Sequence, residues 1–243
     1  MREMNEDRAA RVWSSIAECA RRESAPVSVR HACQSCAEAV SADAAVLLLT
    51  SSLQAGHLVY ATAPLGEELV ELQTTSGEGP ALAAAAGLGP VLVPDLAARR
   101  DRWPAYVPDA LRTGARAQFS VPLRLGAVRV GALDLHRRRT GALGPDELAD
   151  VMVYADAALA IVLDDRAGAN GDGGGGGFFN YGAELHQAAG MVSVQLDVPV
   201  GEAMVRLRAH AYARGERLGE VAKAVVQRRL RFAPSDESGG EHR

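Results

Sequence analysis

Two cysteines and a histidine stand close together near the N-terminus of this 243-residue chain. Cys33 and Cys36 are separated by two residues, and His31 lies just before them. Zinc and redox sites use this spacing, but a structural zinc needs four ligands and no second cysteine pair follows. Alanine-rich helices also bury cysteine as a small apolar side chain. We therefore predict buried structural thiols, with metal or redox sensing as the alternative.

A carboxylate and an imidazole alternate with leucines in the segment GALDLH. In a strand, Asp134 and His136 point to the face opposite Leu133 and Leu135. Such a pair can line a ligand cavity, but the alternation favours a solvent-exposed face. We expect both side chains to be exposed, and the arginine run at 137–139 to form a solvated turn.

Catalytic signatures are missing from the sequence. It contains no Walker loop, nucleophile elbow, HExxH motif or arguable pair of catalytic carboxylates. Hydrophobic residues make up 48% and charged residues 23% of the chain, as in globular proteins. The N-terminus is charged, no apolar run reaches about 18 residues, and three cysteines suit a reducing compartment. We expect a cytoplasmic protein that neither catalyses a reaction nor holds a metal.

The glycine-rich stretch AGANGDGGGGG divides the chain, because such a segment cannot bury apolar surface. It predicts a domain at 8–166, a flexible linker at 167–179, a second domain at 180–233 and a disordered tail at 234–243. Residues 1–166 hold 17 basic and 21 acidic side chains, a balance of −4. Residues 180–233 hold 8 basic and 5 acidic ones, a balance of +3. The second domain is therefore a small basic module.

The first domain has the pattern of an α+β fold, because segments of helical spacing alternate with short apolar runs. The predicted helices are Asp7–Arg22, Val27–Val40, Leu65–Leu72, Gly79–Ala86 and Pro145–Asp165. The predicted strands are Ala44–Thr50, His57–Thr62, Val91–Val93, Gln118–Leu125 and Val128–His136. The first two strands, and the last two around Gly126, are close enough in sequence to form hairpins.

This order of elements resembles the GAF domain, over about residues 8–166. The best match runs from GPVLVPDL through RWPAYVPDALRTGARAQFSVPLRLGAVRVGALDLHRR. The resemblance implies a sensor with a central antiparallel sheet and flanking helices. It does not identify a ligand, because fold does not fix function. No cofactor signature is present, so the ligand stays open.

Three amphipathic helices fit between Tyr181 and Arg231, joined by short connections. The apolar positions are Leu185, Ala189, Val192 and Leu196, then Val200, Ala203, Met204, Leu207 and Ala211, then Leu218, Val221, Ala222, Val225 and Val226. Gly190 lies inside the first helix, where glycine costs about 1 kcal/mol relative to alanine. We expect another backbone or a ligand to approach it closely.

The stretch LHQAAGMVSVQLDVPVGEAMVRLRAHAYARGERLGEVAKAVV resembles the ANTAR domain, a three-helix RNA-binding output module of transcription antiterminators. The matching positions are Gln187–Met191, Gln195, Val198, Glu202–Ala203, Leu207–Arg208, Ala211, Leu218, Val221–Ala222 and Val225–Val226. A GAF domain followed by an ANTAR domain is a known order, so the whole chain resembles actinobacterial-type GAF-ANTAR antitermination regulators.

Aromatic and basic side chains of the module are the candidates for RNA contact, because RNA loops stack on aromatic rings and arginine planes. Arg208 and Tyr212 lie four residues apart, off the apolar stripe. Two alternatives stay open: Arg206 forms a solvated pair with Glu202, and Tyr212 only caps the core. The predicted RNA-binding residues are Gln187, Gly190, Arg206, Arg208, Tyr212, Arg214, Arg217 and Lys223. Arg228, Arg229 and Arg231 add to the basic surface.

The resemblance implies a signal-responsive regulator that binds tandem stem-loops in nascent transcripts and prevents a terminator hairpin, so it meets RNA polymerase indirectly. The stripe Leu148–Met152–Ala155–Leu159–Val162 also predicts a homodimer through the helix at 145–165, without a membrane. The alternative is a DNA-binding regulator that uses the last two helices as a helix-turn-helix. The polar residues of the third helix, Glu220, Lys223 and Gln227, suit base reading poorly.

Overall fold

The computed structural model describes residues 2–50, 56–87, 89–169 and 180–233. The chain divides into two compact units, Met1–Phe179 and Asn180–Arg243. The predicted linker at 167–179 lies outside the described residues except for 167–169, which continue a helix. The predicted tail at 234–243 lies outside the described residues entirely.

A five-stranded antiparallel sheet forms the centre of the first unit. Its strands are β1 (Ala44–Thr50), β2 (Gly56–Ala61), β3 (Val91–Val93), β4 (Ala117–Leu125) and β5 (Val128–Arg137). The order across the sheet is β2-β1-β5-β4-β3, which confirms both predicted hairpins, β1–β2 and β4–β5. Gly126 turns the second hairpin at a φ of 60°, which glycine adopts without strain.

The helices of the first unit agree with the predicted segments, with one addition. They are α1 (Arg2–Arg22), α2 (Val29–Ala39), α3 (Pro64–Ser76), α4 (Pro80–Ala86), α5 (Val107–Arg112) and α6 (Pro145–Ala169). The sequence did not predict α5, because nearby prolines are typical of a loop. Pro108 instead occupies the first turn of α5, where its missing N–H costs nothing. Across the described ranges, no helix combines the length and apolar character needed to span a bilayer.

The two faces of the sheet are buried against different helices. Side chains of α1, α2 and α6 pack on the face that carries Leu47, Phe119 and Leu133. Side chains of α3, α4 and α5 pack on the opposite face, around Ala44 and Val46. Because successive strand residues point to opposite faces, residues 118 and 120 of β4 and residues 132, 134 and 136 of β5 lie beneath α3–α5. Both faces are therefore interior layers.

Helix α6 belongs to the core of the first unit. Ala155, Leu159 and Val162 are buried there, although the sequence assigned them to a dimer surface. Leu148 is half-buried, and only Met152 of the predicted stripe is exposed, at 47%. A side chain packed in its own core cannot also pack against a second copy. The assignment of Ala155, Leu159 and Val162 to a dimer surface is therefore wrong, and the homodimer itself stays a prediction.

The second unit contains three helices, α7 (Asn180–Leu196), α8 (Val200–Arg214) and α9 (Leu218–Val226), as predicted. Their inward-facing side chains form one small buried core. Its members are Leu185, Ala188, Ala189, Val192, Ala203, Met204, Leu207, Ala211, Leu218, Val221, Ala222 and Val225. Gly215 ends α8 in the left-handed conformation at a φ of 63°, which turns the chain sharply toward α9.

Candidate functional site

Asp134 and His136 are fully buried, which corrects the expectation that they face solvent. Both lie on β5, on the sheet face that α3–α5 cover. The alternation with leucines correctly indicated two different faces. Local sequence does not show that a second layer of helices covers the polar face. A carboxylate and an imidazole are therefore enclosed in the protein interior.

Three side chains donate hydrogen bonds to the buried carboxylate of Asp134. The Nε2 of Gln118 on β4 lies 2.8 Å from Oδ2, and the Nε2 of Gln73 on α3 lies 3.2 Å from the same oxygen. The hydroxyl of Ser120 lies 2.5 Å from Oδ1. Hydrogen bonds to an ionised acceptor are about twice as strong as neutral ones. The carboxylate is thus the centre of a satisfied polar cluster.

His136 is the exception within this cluster. Its Nε2 lies 3.2 Å from Oδ2 of Asp134, within ion-pair distance. Neither ring nitrogen meets the geometry of a hydrogen bond with any described residue. A buried polar group without such a partner costs about 1–3 kcal/mol. His136 is therefore the position in the layer where a further polar partner would contribute most.

The covering helices are tied to this cluster by a second set of hydrogen bonds. The Tyr106 hydroxyl donates to Oε1 of Gln118 at 2.8 Å, and the backbone N–H of Ala81 donates to Oε1 of Gln73 at 2.8 Å. Glu78 accepts from the backbone N–H groups of Ala105 and Tyr106. Burial raises the pKa of Tyr106 well above its ordinary value, so the phenol remains a neutral donor. The polar cluster is therefore hydrogen-bonded to α3, to the start of α4 and to the residue that precedes α5.

The sequence of the β4–β5 hairpin contains a signal for this cluster. Gln118 lies opposite His136, and Ser120 lies opposite Asp134, in the register of β4 and β5. Two polar pairs in register on one face of a hairpin indicate a shared polar layer. Gln73 and Tyr106 could not be found in this way, because α3 and α5 reach the cluster only through the tertiary fold.

Arg137 is also buried, so the arginine run is only partly a solvated turn. Its guanidinium pairs with Glu147 of α6 at 2.9 Å and lies 5.3 Å from the centre of the Phe119 ring. It also donates to the carbonyl oxygen of Val40. These contacts join the end of β5 to α2 and α6. Arg137 is thus a structural residue.

The cysteine pair lies in the apolar core. Cys33 and Cys36 are both fully buried on α2, as predicted for structural thiols. Burial raises the pKa of Cys33 to about 12, so its thiol stays protonated and poorly nucleophilic. No group of three or more metal-ligating side chains occurs in the part of the chain that the structure describes. The cysteines are therefore not a candidate reactive site.

The second unit presents most of its predicted RNA-binding side chains to solvent. Six of the eight predicted residues are exposed: Gln187, Arg206, Tyr212, Arg214, Arg217 and Lys223. Gly190 and Arg208 are half-buried. The Tyr212 side chain is 55% exposed, so it does not belong to the core. Burial lowers the pKa of Arg208 from its ordinary value, although the guanidinium remains charged.

Arg206 forms the solvated ion pair with Glu202 that was the alternative interpretation of the sequence. Its guanidinium pairs with Glu202 one turn earlier at 3.1 Å, and both side chains are about half exposed. Such an exposed pair contributes little to stability. Arg206 can therefore exchange this partner for another anion at low cost.

The predicted close approach of another backbone to Gly190 does not occur among the described residues. A Cβ built on Gly190 would meet no atom within 4 Å among the described residues. No backbone of this unit therefore requires the glycine. The bare backbone at this point of α7 faces open space, where a partner molecule could approach it.

Helices cover both faces of the central sheet, and one of the covered faces encloses the polar cluster, which defines a three-layered α+β domain. The chain belongs to the GAF domain family, whose sequence model matches residues 27–161. Membership of this family indicates a signal-sensing regulatory role. No curated protein sequence matches the chain. Residues 180–233 lie beyond the matched stretch.

Solved structures similar to the chain include two GAF domains of phosphoenolpyruvate-protein phosphotransferases. The GAF domain of an Acinetobacter phosphoenolpyruvate-protein phosphotransferase is 14% identical, with a TM-score of 0.49, over 69% of this chain and 98% of that one. The corresponding domain from Coxiella burnetii is 17% identical, with a TM-score of 0.48, over 67% of this chain and 98% of that one. Family membership rests on the sequence match.

Proposed function

We propose that this chain is a cytoplasmic, signal-responsive regulator whose second unit binds structured RNA and acts by antitermination. The observation that carries the proposal is the exposed Tyr212 beside Arg208 on a basic three-helix unit. The resemblance of this unit to the ANTAR domain supports the same reading. The chemistry is binding, without a covalent step.

The two residues lie on one strip along α8, which is exposed except for the half-buried Arg208. Gly201, Val205, Arg208 and Tyr212 follow each other at helical spacing, and Val205 is 58% exposed. At about 100° per residue, this strip lies roughly 80–140° from the buried side of α8. An exposed aromatic ring beside a guanidinium offers an unpaired base a stacking surface. Duplex DNA does not present unpaired bases, so the strip favours RNA loops.

A gel-shift competition tests this choice of nucleic acid. A tandem stem-loop RNA with exposed purine loops should compete for the full chain far better than duplex DNA of equal length. Tyr212→Ala should reduce this preference. Equal competition by random duplex DNA would instead support the helix-turn-helix alternative. Sequencing of RNA that co-purifies with the chain would identify the target transcript.

We propose that the signal is received at the polar cluster around Asp134 in the first unit. His136 supports this placement, because it is a buried imidazole whose ring nitrogens lack hydrogen-bond partners among the described residues. A polar small molecule bound there would also compete for Gln73, which contacts both Asp134 and the start of α4. Native mass spectrometry of the full chain tests this: a bound small molecule should be present in the wild type and lost in His136→Leu.

We also propose that the regulator works as a homodimer, which would raise the effective concentration of two RNA-binding units on tandem stem-loops. The exposed side of α6, which includes Met152, is the part of this helix left for a second copy. Sedimentation of the full chain, with and without RNA, tests this. A monomer under both conditions would exclude the dimer.

A further inference from the structure

The chain continues beyond α9 as an ordered, non-helical segment, residues 227–233, which we call the arginine segment. Arg228 adopts the left-handed conformation at a φ of 59°, which reverses the direction of the chain. The backbone N–H groups of Arg229 and Leu230 then both donate to the carbonyl oxygen of Ala224, at 2.8 and 3.0 Å. The end of α9 is therefore closed by a specific turn.

Phe232 anchors the far end of the arginine segment to the other two helices. Its backbone N–H donates to Oε1 of Gln195 on α7 at 2.8 Å. Its ring lies 5.2 Å from the imidazole of His210 on α8, at a tilt of 58°. Phe232 and Leu230 are both half-buried. The segment is thus held against α7 and α8 as well as α9.

The anchored segment is strongly and uniformly positive. Residues 227–233 (QRRLRFA) contain three basic side chains and no acidic one. Arg228, Arg229 and Arg231 are all exposed. Ordering such a segment costs conformational entropy, about 1–2 kcal/mol per residue for the backbone alone. The contacts of Phe232 and Leu230 offset part of this cost, and their effect is to hold three arginines in a defined place.

The residues Gly201, Val205, Arg208 and Tyr212 form what we call the Tyr212 strip. The arginine segment lies on the other side of α8 from this strip. At about 100° per residue, His210 and Arg206 fall roughly 80–120° from the buried side of α8, in the opposite sense to Arg208 and Tyr212. Phe232 packs on His210, so the segment joins that second flank. The second flank carries arginines without an exposed aromatic ring, which suits phosphate groups better than bases.

We propose that the arginine segment is a preorganised phosphate-binding arm, which grips the backbone of the RNA whose bases meet the Tyr212 strip. This inference rests on the proposed function and adds to it that one flank of α8 contacts the bases of the RNA and the other flank contacts its phosphates. Its two large apolar side chains, Leu230 and Phe232, are half-buried, so the segment has little apolar surface for insertion into lipid. Its chemistry therefore favours a polyphosphate strand over a membrane surface.

The dependence of binding on salt tests this division, because each phosphate contact adds roughly 0.7–0.9 to the log–log slope of affinity against salt. The probe is a tandem stem-loop RNA with exposed purine loops, titrated against the full chain by fluorescence anisotropy. Arg228→Gln/Arg229→Gln/Arg231→Gln should lower the slope by roughly 2–3. Tyr212→Ala should weaken binding with the slope unchanged. Phe232→Ala keeps every charge but frees the segment, so affinity should fall about ten-fold with little change in slope.

A matched control removes the same charge from the first unit. Arg99, Arg100 and Arg102 are exposed there, and Arg99→Gln/Arg100→Gln/Arg102→Gln changes the net charge equally. Its slope should equal that of the wild type. The arm is overturned if the segment variant keeps the slope of this control, or if it loses binding to phosphatidylglycerol vesicles and not to RNA. Failure of the wild type to bind RNA at all would instead overturn the proposed function.

Discussion

Replacing Asp134 by asparagine removes the negative charge of the buried cluster, whereas replacing it by alanine also removes the hydrogen-bond acceptors. The two variants therefore separate the cost of losing the charge from the cost of losing the acceptors. Gln73 and Gln118 donate to Oδ2 of Asp134, and Ser120 donates to Oδ1. Asparagine keeps the shape and one acceptor oxygen. With that oxygen toward the two glutamine amides, the new NH₂ group can donate to Ser120, whose hydroxyl can also accept. All three hydrogen bonds then persist without the charge, whereas alanine removes every acceptor.

The structure allows the two costs to be estimated. A hydrogen bond to a charged group contributes about 1.5–3 kcal/mol, against about 0.5–1.5 kcal/mol for a neutral one. Three bonds therefore lose about 3 kcal/mol in Asp134→Asn, and relief from burying a carboxylate offsets part of this. We expect the free energy of unfolding to fall by about 1–3 kcal/mol. In Asp134→Ala three donors are left without acceptors, and we expect a loss of about 4–6 kcal/mol.

Tryptophan fluorescence during urea unfolding measures both losses in the full chain. Both tryptophans, Trp13 and Trp103, lie in the first unit, so the signal reports on that unit alone. Asp101→Asn, at an exposed position, is the matched control and should change stability by less than about 0.5 kcal/mol. The reasoning is refuted if the asparagine and alanine variants unfold with equal free energies, or if either one matches the control.

Three further predictions concern other parts of the chain. Burial raises the pKa of Cys33 from its ordinary 9.0 to about 12, so the folded state retains a proton that the unfolded chain releases. The contribution of the Cys33 thiol to stability is present below about pH 9 and is lost as the pH rises from 9 toward 12. The melting temperatures of the wild type and of Cys33→Ala, measured against pH, should therefore converge across this range. Leu159→Asp should unfold the first unit, because Leu159 is buried, whereas Met152→Glu should keep the melting temperature and dissociate any dimer in sedimentation. Tyr212→Ala should leave the melting temperature nearly unchanged and weaken RNA binding by about 1–3 kcal/mol. A loss of stability as large as the loss of binding free energy would instead show that Tyr212 is part of the core.

Local sequence patterns were sufficient for most elements, because each rests on a local cause. Alternation and a Gly126 turn specify the β4–β5 hairpin, and Pro145 followed by acidic residues specifies the start of α6. The short helix α5 was missed because its prolines also occur in loops. Propensity alone cannot decide between these two uses of proline, since only packing of Tyr106 and Val107 in the interior stabilises the helix.

The burial of polar side chains was the main point that local patterns could not decide. Alternation showed that Asp134 and Leu133 face opposite sides of the sheet, and nothing nearby in sequence showed what covers each side. Gln73 precedes Asp134 by 61 residues, yet it donates to its carboxylate. The same holds for α6, whose apolar stripe is equally suited to a partner helix and to its own sheet. Periodicity reports which residues share a face, and it does not report what that face meets.

The sequence by itself determined the GAF-like order of helices and strands, the three-helix unit after the glycine-rich stretch, and the basic character of that unit. These properties depend on residues that lie close together along the chain. Only the tertiary structure decided that Asp134 and His136 lie in a closed polar layer, that Leu159 packs inward, and that Phe232 fastens the arginine segment to α7 and α8. Each of these outcomes depends on a contact between distant segments, and the free energy of such contacts exists only once the chain has folded.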